Sequence, residues 1–70
     1  MYLLNQPIRA VFCEDNGRCH IDIIPAGSQV RLRGPSTFEG MVEIVWRGVF
    51  CNAFLTDIES RSETVLPLSA

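Results

Sequence analysis

The chain has 70 residues, a formal net charge of −2 and a hydrophobic fraction of 47%. That length allows one domain with a thin core, and the apolar content is too high for a disordered segment. The negative balance argues against a strong nucleic-acid or anionic-membrane binder, because such affinity comes from net positive fields.

The start, Met1-Tyr-Leu-Leu-Asn-Gln-Pro7, has no basic n-region and no long apolar run, so no signal peptide is expected. Apolar runs are too short for a transmembrane span, and no membrane association is expected. All six basic residues are Arg, at positions 9, 18, 31, 33, 47 and 61. An odd count of three Cys fits a reducing compartment better than a secreted disulfide framework, which points to a cytoplasmic protein.

In chain order, Ile8-Arg-Ala-Val-Phe-Cys13 alternates as a strand with Ile8, Ala10 and Phe12 inward. Asn16-Gly17 is the strongest short hairpin signal. The return strand, Cys19-His-Ile-Asp-Ile-Ile24, is expected to turn Ile21 and Ile23 inward and Asp22 outward. Pro25-Ala-Gly-Ser28 breaks it, Pro by lacking an N–H and Gly by allowing a sharp bend. Gln29 to Arg33 alternates again, with Val30 and Leu32 inward and Arg31 and Arg33 outward. Gly34 to Gly40 reads as a mobile loop.

Met41 to Phe54 is the anchor of the chain. Arg47-Gly48 reads as a two-residue turn, since Gly accepts the positive φ of a tight hairpin. Folding there opposes Trp46 with Val49, Ile44 with Cys51 and Val42 with Ala53 on a core face. The other face carries Val45 with Phe50, Glu43 with Asn52 and Met41 with Phe54, which is greasy for a solvated surface. Beyond it, Thr56-Asp-Ile-Glu59 reads as one helical or 3₁₀ turn, with Thr56 a cap and Ile58 inward. Residues 59–64 add a short closing strand with Val65 at its edge, and residues 66–70 are expected to fray. The fold expected is all-β: one domain over residues 1–65, a small barrel of five to six short antiparallel strands with one 3₁₀ turn near the C-terminus.

A family resemblance supports that fold. Ile24-Pro-Ala-Gly-Ser-Gln-Val-Arg-Leu, a Gly-rich loop, Met41-Val-Glu-Ile-Val-Trp46, a tight turn, a strand and Thr56-Asp-Ile58 resemble a bacterial SH3-type barrel. In such domains a Pro-x-Gly-x-x-Val turn enters a strand and a 3₁₀ turn precedes the last one. Val30 to Val42 is also similar to the KOW motif of ribosomal and transcription-factor barrels, which implies RNA or protein contact through Arg31, Arg33 and the Gly34–Gly40 loop, with Phe38 inside it.

The chemistry-bearing residues converge weakly. A two-residue Asn16-Gly17 turn sets Cys13 against His20, whereas a three-residue loop, Asp15 to Gly17, sets Cys13 against Cys19 and permits a disulfide. Otherwise Cys13 and Cys19 are free thiols and Cys51 a small core residue. A Zn site from Cys13, His20 and Cys51 lacks a fourth ligand and close Cys spacing. Cys19 and His20 are sequential and point to opposite faces, and no carboxylate pair is spaced for acid–base work. No catalytic residue, metal or cofactor is therefore expected. Arg31 and Arg33 are read as partners of Glu43 across the sheet, Trp46 as a packing residue.

What stands out is the apolar outer face formed by Met41, Val45, Phe50 and Phe54, which is either covered, by a symmetric partner or by the segment Met1–Leu4, or reduced by a barrel that curls enough to bury Phe50 or Phe54. The expectation is a non-catalytic interaction module, a homo-oligomer or binder of a protein partner through that face. The alternatives are a KOW-like nucleic-acid-associated barrel, and a small ligand binder or enzyme with its site at an oligomer centre.

Overall fold

A computed structural model describes residues 1–64, so the expected edge at Val65 and the expected tail over residues 66–70 lie outside the described residues. The chain forms β1 (Tyr2–Leu4), β2 (Ile8–Cys13), β3 (Cys19–Ile24), β4 (Gln29–Pro35), β5 (Met41–Trp46), β6 (Val49–Phe54), α1 (Leu55–Arg61) and β7 (Ser62–Thr64). The strands make one antiparallel sheet in the order β3-β2-β6-β5-β4-β1-β7, and it is not closed. Among the described residues the fold is all-β with one short helix, in seven strands rather than five or six.

The β5–β6 hairpin has the expected register, with Trp46↔Val49, Ile44↔Cys51 and Val42↔Ala53 on one face and Val45↔Phe50, Glu43↔Asn52 and Met41↔Phe54 on the other. The turn explains why. Arg47 and Gly48 adopt φ of 54° and 78°, the two positive values of a type I′ turn, whose twist matches the flanking strands. Buried Ile44, Cys51 and Ala53 join Leu4, Ile8, Ala10, Ile24, Val30 and Ile58 in one core. Trp46 is half-buried and packs against this cluster.

The β2–β3 hairpin takes the three-residue loop. Glu14 N–H donates to the Arg18 carbonyl at 2.7 Å, Gly17 has φ of 87°, and Cys13 opposes Cys19. The two sulfurs are bonded, so Cys13 and Cys19 are a disulfide rather than free thiols, and Cys51 alone is unpaired. The odd count thus resolves into one bridge plus one core thiol, and it no longer argues for a reducing compartment.

This register also reverses the expected faces of β3. Ile24 opposes Ile8 and is buried, while Ile21 and Ile23 oppose Val11 and Arg9 and are exposed. Asp22 and His20 take the inner side, opposite Ala10 and Phe12. Ile21 and Ile23 do not turn inward as expected because isoleucines occupy both phases of the strand, and only the partner strand chooses between them.

Pro25 to Ser28 is a tight turn, closed by Ser28 N–H on the Pro25 carbonyl with Gly27 at φ 85°, the value a type II turn requires at that position. It docks on β1 through Leu4 N–H to Ser28 and Gly27 N–H to the Leu4 carbonyl. The Met1–Leu4 segment therefore lies between β4 and β7 and buries Leu4, instead of covering the outer face. In β4, Val30 is buried as expected but Leu32 is exposed, next to a bulge between Leu32 and Gly34. The loop from Ser36 to Gly40 is held by Ser36 Oγ–H to Asn52 Oδ1 at 2.6 Å and by Phe38 N–H to Ser36 Oγ, so it is anchored.

The expected 3₁₀ turn is a seven-residue α-helix, whose N-cap is Phe54 and not Thr56, with no side-chain cap. Ile58 is buried as expected, and it is the residue that fixes α1 against the core. Asp57 in the first turn and Arg61 in the last complement the helix dipole.

Candidate functional site

The hairpin geometry places all four residues of the expected contact face on the outer side of the sheet. Met41 opposes Phe54 and Val45 opposes Phe50, with Glu43 and Asn52 between the two pairs. Phe50 and Phe54 are 56% and 45% exposed, while Met41 and Val45 are half-buried. Neighbouring strands widen the face. Val11 lies beside Asn52 and across from Ile21, and Arg9 faces Ile23, so Ile21 and Ile23 carry the apolar surface to the sheet edge at 68% and 50% exposure. These two isoleucines were missed from sequence. The outward phase of Val11 was the signal, since its cross-strand partner had to share its face.

Of the other candidates, Arg31 is exposed and sits opposite Val45. Arg33 falls in the bulge. Its Nε lies 3.2 Å from Glu43 Oε1 and its guanidinium carbon 4.5 Å from the Phe50 ring centroid, so it closes over one flank of the apolar face. Phe38 is exposed on the anchored loop, away from any β-pairing.

Where the outer face meets α1, a groove of about 520 Å³ opens between Pro7, Arg9, Ile23, Phe54, Asp57 and Arg61. Arg61 is committed there, with Nη1 donating to the Pro7 carbonyl at 3.2 Å and Nε 3.8 Å from Asp57 Oδ1. On the inner side, at the open end of the sheet, His20 stacks on Phe12 at 5.6 Å, Phe12 meets Trp46 edge-on at 6.3 Å, and Arg47 covers Trp46 at 5.6 Å. These are packing arrangements of an aromatic cluster.

Among the described residues no three His, Cys, Asp or Glu side chains stand close enough to hold a metal ion. Cys13 and Cys19 are consumed by their bridge, and burial pushes the Cys51 thiol up to about 11, far from a nucleophile at neutral pH. No helix among the described residues is long and apolar enough to cross a membrane. The arrangement offers surface chemistry: exposed apolar side chains interspersed with Arg9, Arg33, Glu43 and Asn52 on one face of the sheet. The chain matches no protein-family model, no curated protein and no solved structure.

Proposed function

We propose that this protein is a small interaction module that acts by contact rather than catalysis, self-associating through the outer sheet face around Met41, Val45, Phe50 and Phe54. The observation that carries this reading is the exposure of Ile21, Ile23, Phe50 and Phe54 on one side of a single sheet. Apolar side chains exposed in this number on one face are costly to leave in water, at about 25 cal/mol per Å². The cations on this face suit a protein contact better than a nucleic acid, because Arg33 already has Glu43 and Phe50 as partners. As to fold, we read the sheet as an SH3-like barrel left open. The Pro25–Ser28 turn into β4, the tight turn between β5 and β6 and the helical turn before the last strand support this.

Light scattering at high micromolar concentration tests the function. The wild-type chain is expected above the 7.8 kDa of one copy, and Phe50→Glu is expected to lower the assembly mass. A mass that Phe50→Glu leaves unchanged overturns the reading.

A further inference from the structure

β3 is a six-residue strand at the end of the sheet, and among the described residues β2 is its only neighbour. In an antiparallel pair, bonded and unbonded positions alternate. Because Glu14 N–H bonds the Arg18 carbonyl, the next pair, Cys13↔Cys19, is an unbonded one, and so are Val11↔Ile21 and Arg9↔Ile23. The Cα separation of 4.0 Å at Cys13 and Cys19 agrees, since unbonded pairs approach more closely, at about 4.5 Å, than bonded ones. The backbone groups of Cys19, Ile21 and Ile23 therefore point away from β2. One of them has only a local partner: Ile23 N–H donates to Asp22 Oδ1 at 2.7 Å within its own strand, a bond that pairing with another strand would exchange.

Edges of this kind are normally guarded by Pro, Lys, a bulge or an inward charge. Cys19 to Ile24 contains no Pro or Lys, and its register with β2 runs unbroken. The only guard is Asp22. We propose that this edge binds a second copy of the chain, β3 pairing antiparallel with β3 about a two-fold axis through Ile21.

The register follows from symmetry and charge. An axis perpendicular to the sheet keeps inner residues opposite inner ones, so it must pass through a residue. Through Ile21, it sets His20 of each copy opposite Asp22 of the other, twice, and Cys19 opposite Ile23, whose outward backbone groups then bond. Through Asp22, it would oppose two carboxylates, which is unfavourable. Through Ile23, it would set Pro25, which has no N–H, opposite Ile21. Through His20, it would face two imidazoles and leave Ile23 and Ile24 without strand partners. The His20 axis would also match Asp22, with Arg18, but only the Ile21 axis matches the guarding charge while keeping Cys19 to Ile23 of both copies paired strand to strand.

This rests on the self-association reading and adds a second contact, because edge pairing sets two outer faces side by side, with Ile21 and Ile23 of both copies at the seam. The test is sedimentation equilibrium on the full chain, with circular dichroism as the control for folding. Ile21→Pro removes an outward N–H that β2 does not use and is expected to halve the assembly mass. His20→Asp, which opposes two carboxylate pairs, is expected to weaken pairing about tenfold. Adding Asp22→Arg to it is expected to restore pairing, which keeps the test valid should Ile21→Pro fail to fold. An unchanged mass in Ile21→Pro, or no recovery in the double variant, overturns the edge contact. If Phe50→Glu alone lowers the mass, the face stands and the edge falls. If only the edge variants lower it, the edge stands and the face falls. A monomeric wild type overturns both.

Discussion

The Arg33 guanidinium lies 4.5 Å from the centre of the Phe50 ring, two strands away, while its Nε reaches Glu43 on the strand between. One side chain thus shields the flank of an exposed aromatic and neutralises the carboxylate beside it. Both charged groups are wet, so the ion pair contributes only a few tenths of a kcal/mol, and the ring contact about as much again or somewhat more. Arg33→Ala is expected to lower stability by about 0.5–1 kcal/mol in urea titration. Arg33→Met, which keeps the aliphatic stem without the charge, is expected to recover part of that loss.

Gly48 separates conformational strain from crowding. A Cβ added there meets nothing within 4 Å, yet φ is 78°. Gly48→Ala is therefore expected to cost about 1 kcal/mol from the left-handed backbone alone, lowering Tm by about 4–8 °C. Gly34, which has equal space and no positive φ, is the control, and Gly34→Ala is expected to stay within about 0.5 kcal/mol of wild type.

The cysteines divide by environment. Opening the Cys13–Cys19 bridge, which spans a sequence separation of 6, is expected to cost about 2 kcal/mol through the freed unfolded chain. A thiol reagent is expected to find a single reactive group, Cys51, and only after denaturation. Burial raises the Cys51 pKa from 9.0 to about 11. Its contribution to stability is thus complete below pH 9 and falls as pH rises toward 11, because the unfolded chain releases the proton first. That loss should vanish in Cys51→Ala, which guanidinium titrations across this pH range can check.

Sequence made some elements legible and left others open for definable reasons. The β5–β6 hairpin was readable down to each pair because the Arg47-Gly48 turn fixes register locally, and the six core-face residues carry no charge. Ile58 was readable as the buried residue of α1, because it is the only large apolar residue between Thr56 and Arg61. β3 was not. His20, Asp22 and Ile24 occupy one phase, Cys19, Ile21 and Ile23 the other, and apolar residues fall in both. The choice depends on a loop one residue longer than the tightest hairpin and on Ile8 meeting Ile24. β1 carries only three residues, too few to display a period, and its burial of Leu4 depends on the distant turn at Gly27. Of the contact face, the half on the hairpin was visible and the half on β3 was hidden by the same phase ambiguity.

The bulge in β4 has a consequence for variation in length. Arg31 and Leu32 face Val45 and Ile44, and pairing resumes only at Gly34 with Glu43, so Arg33 is the extra residue. Removing one residue there would leave every strand in place and every core side chain where it is. It would also bring the next position into ordinary pairing and deprive Phe50 of its cation. Single-residue insertions and deletions at this point can therefore alter what the surface offers a partner without altering the architecture beneath it.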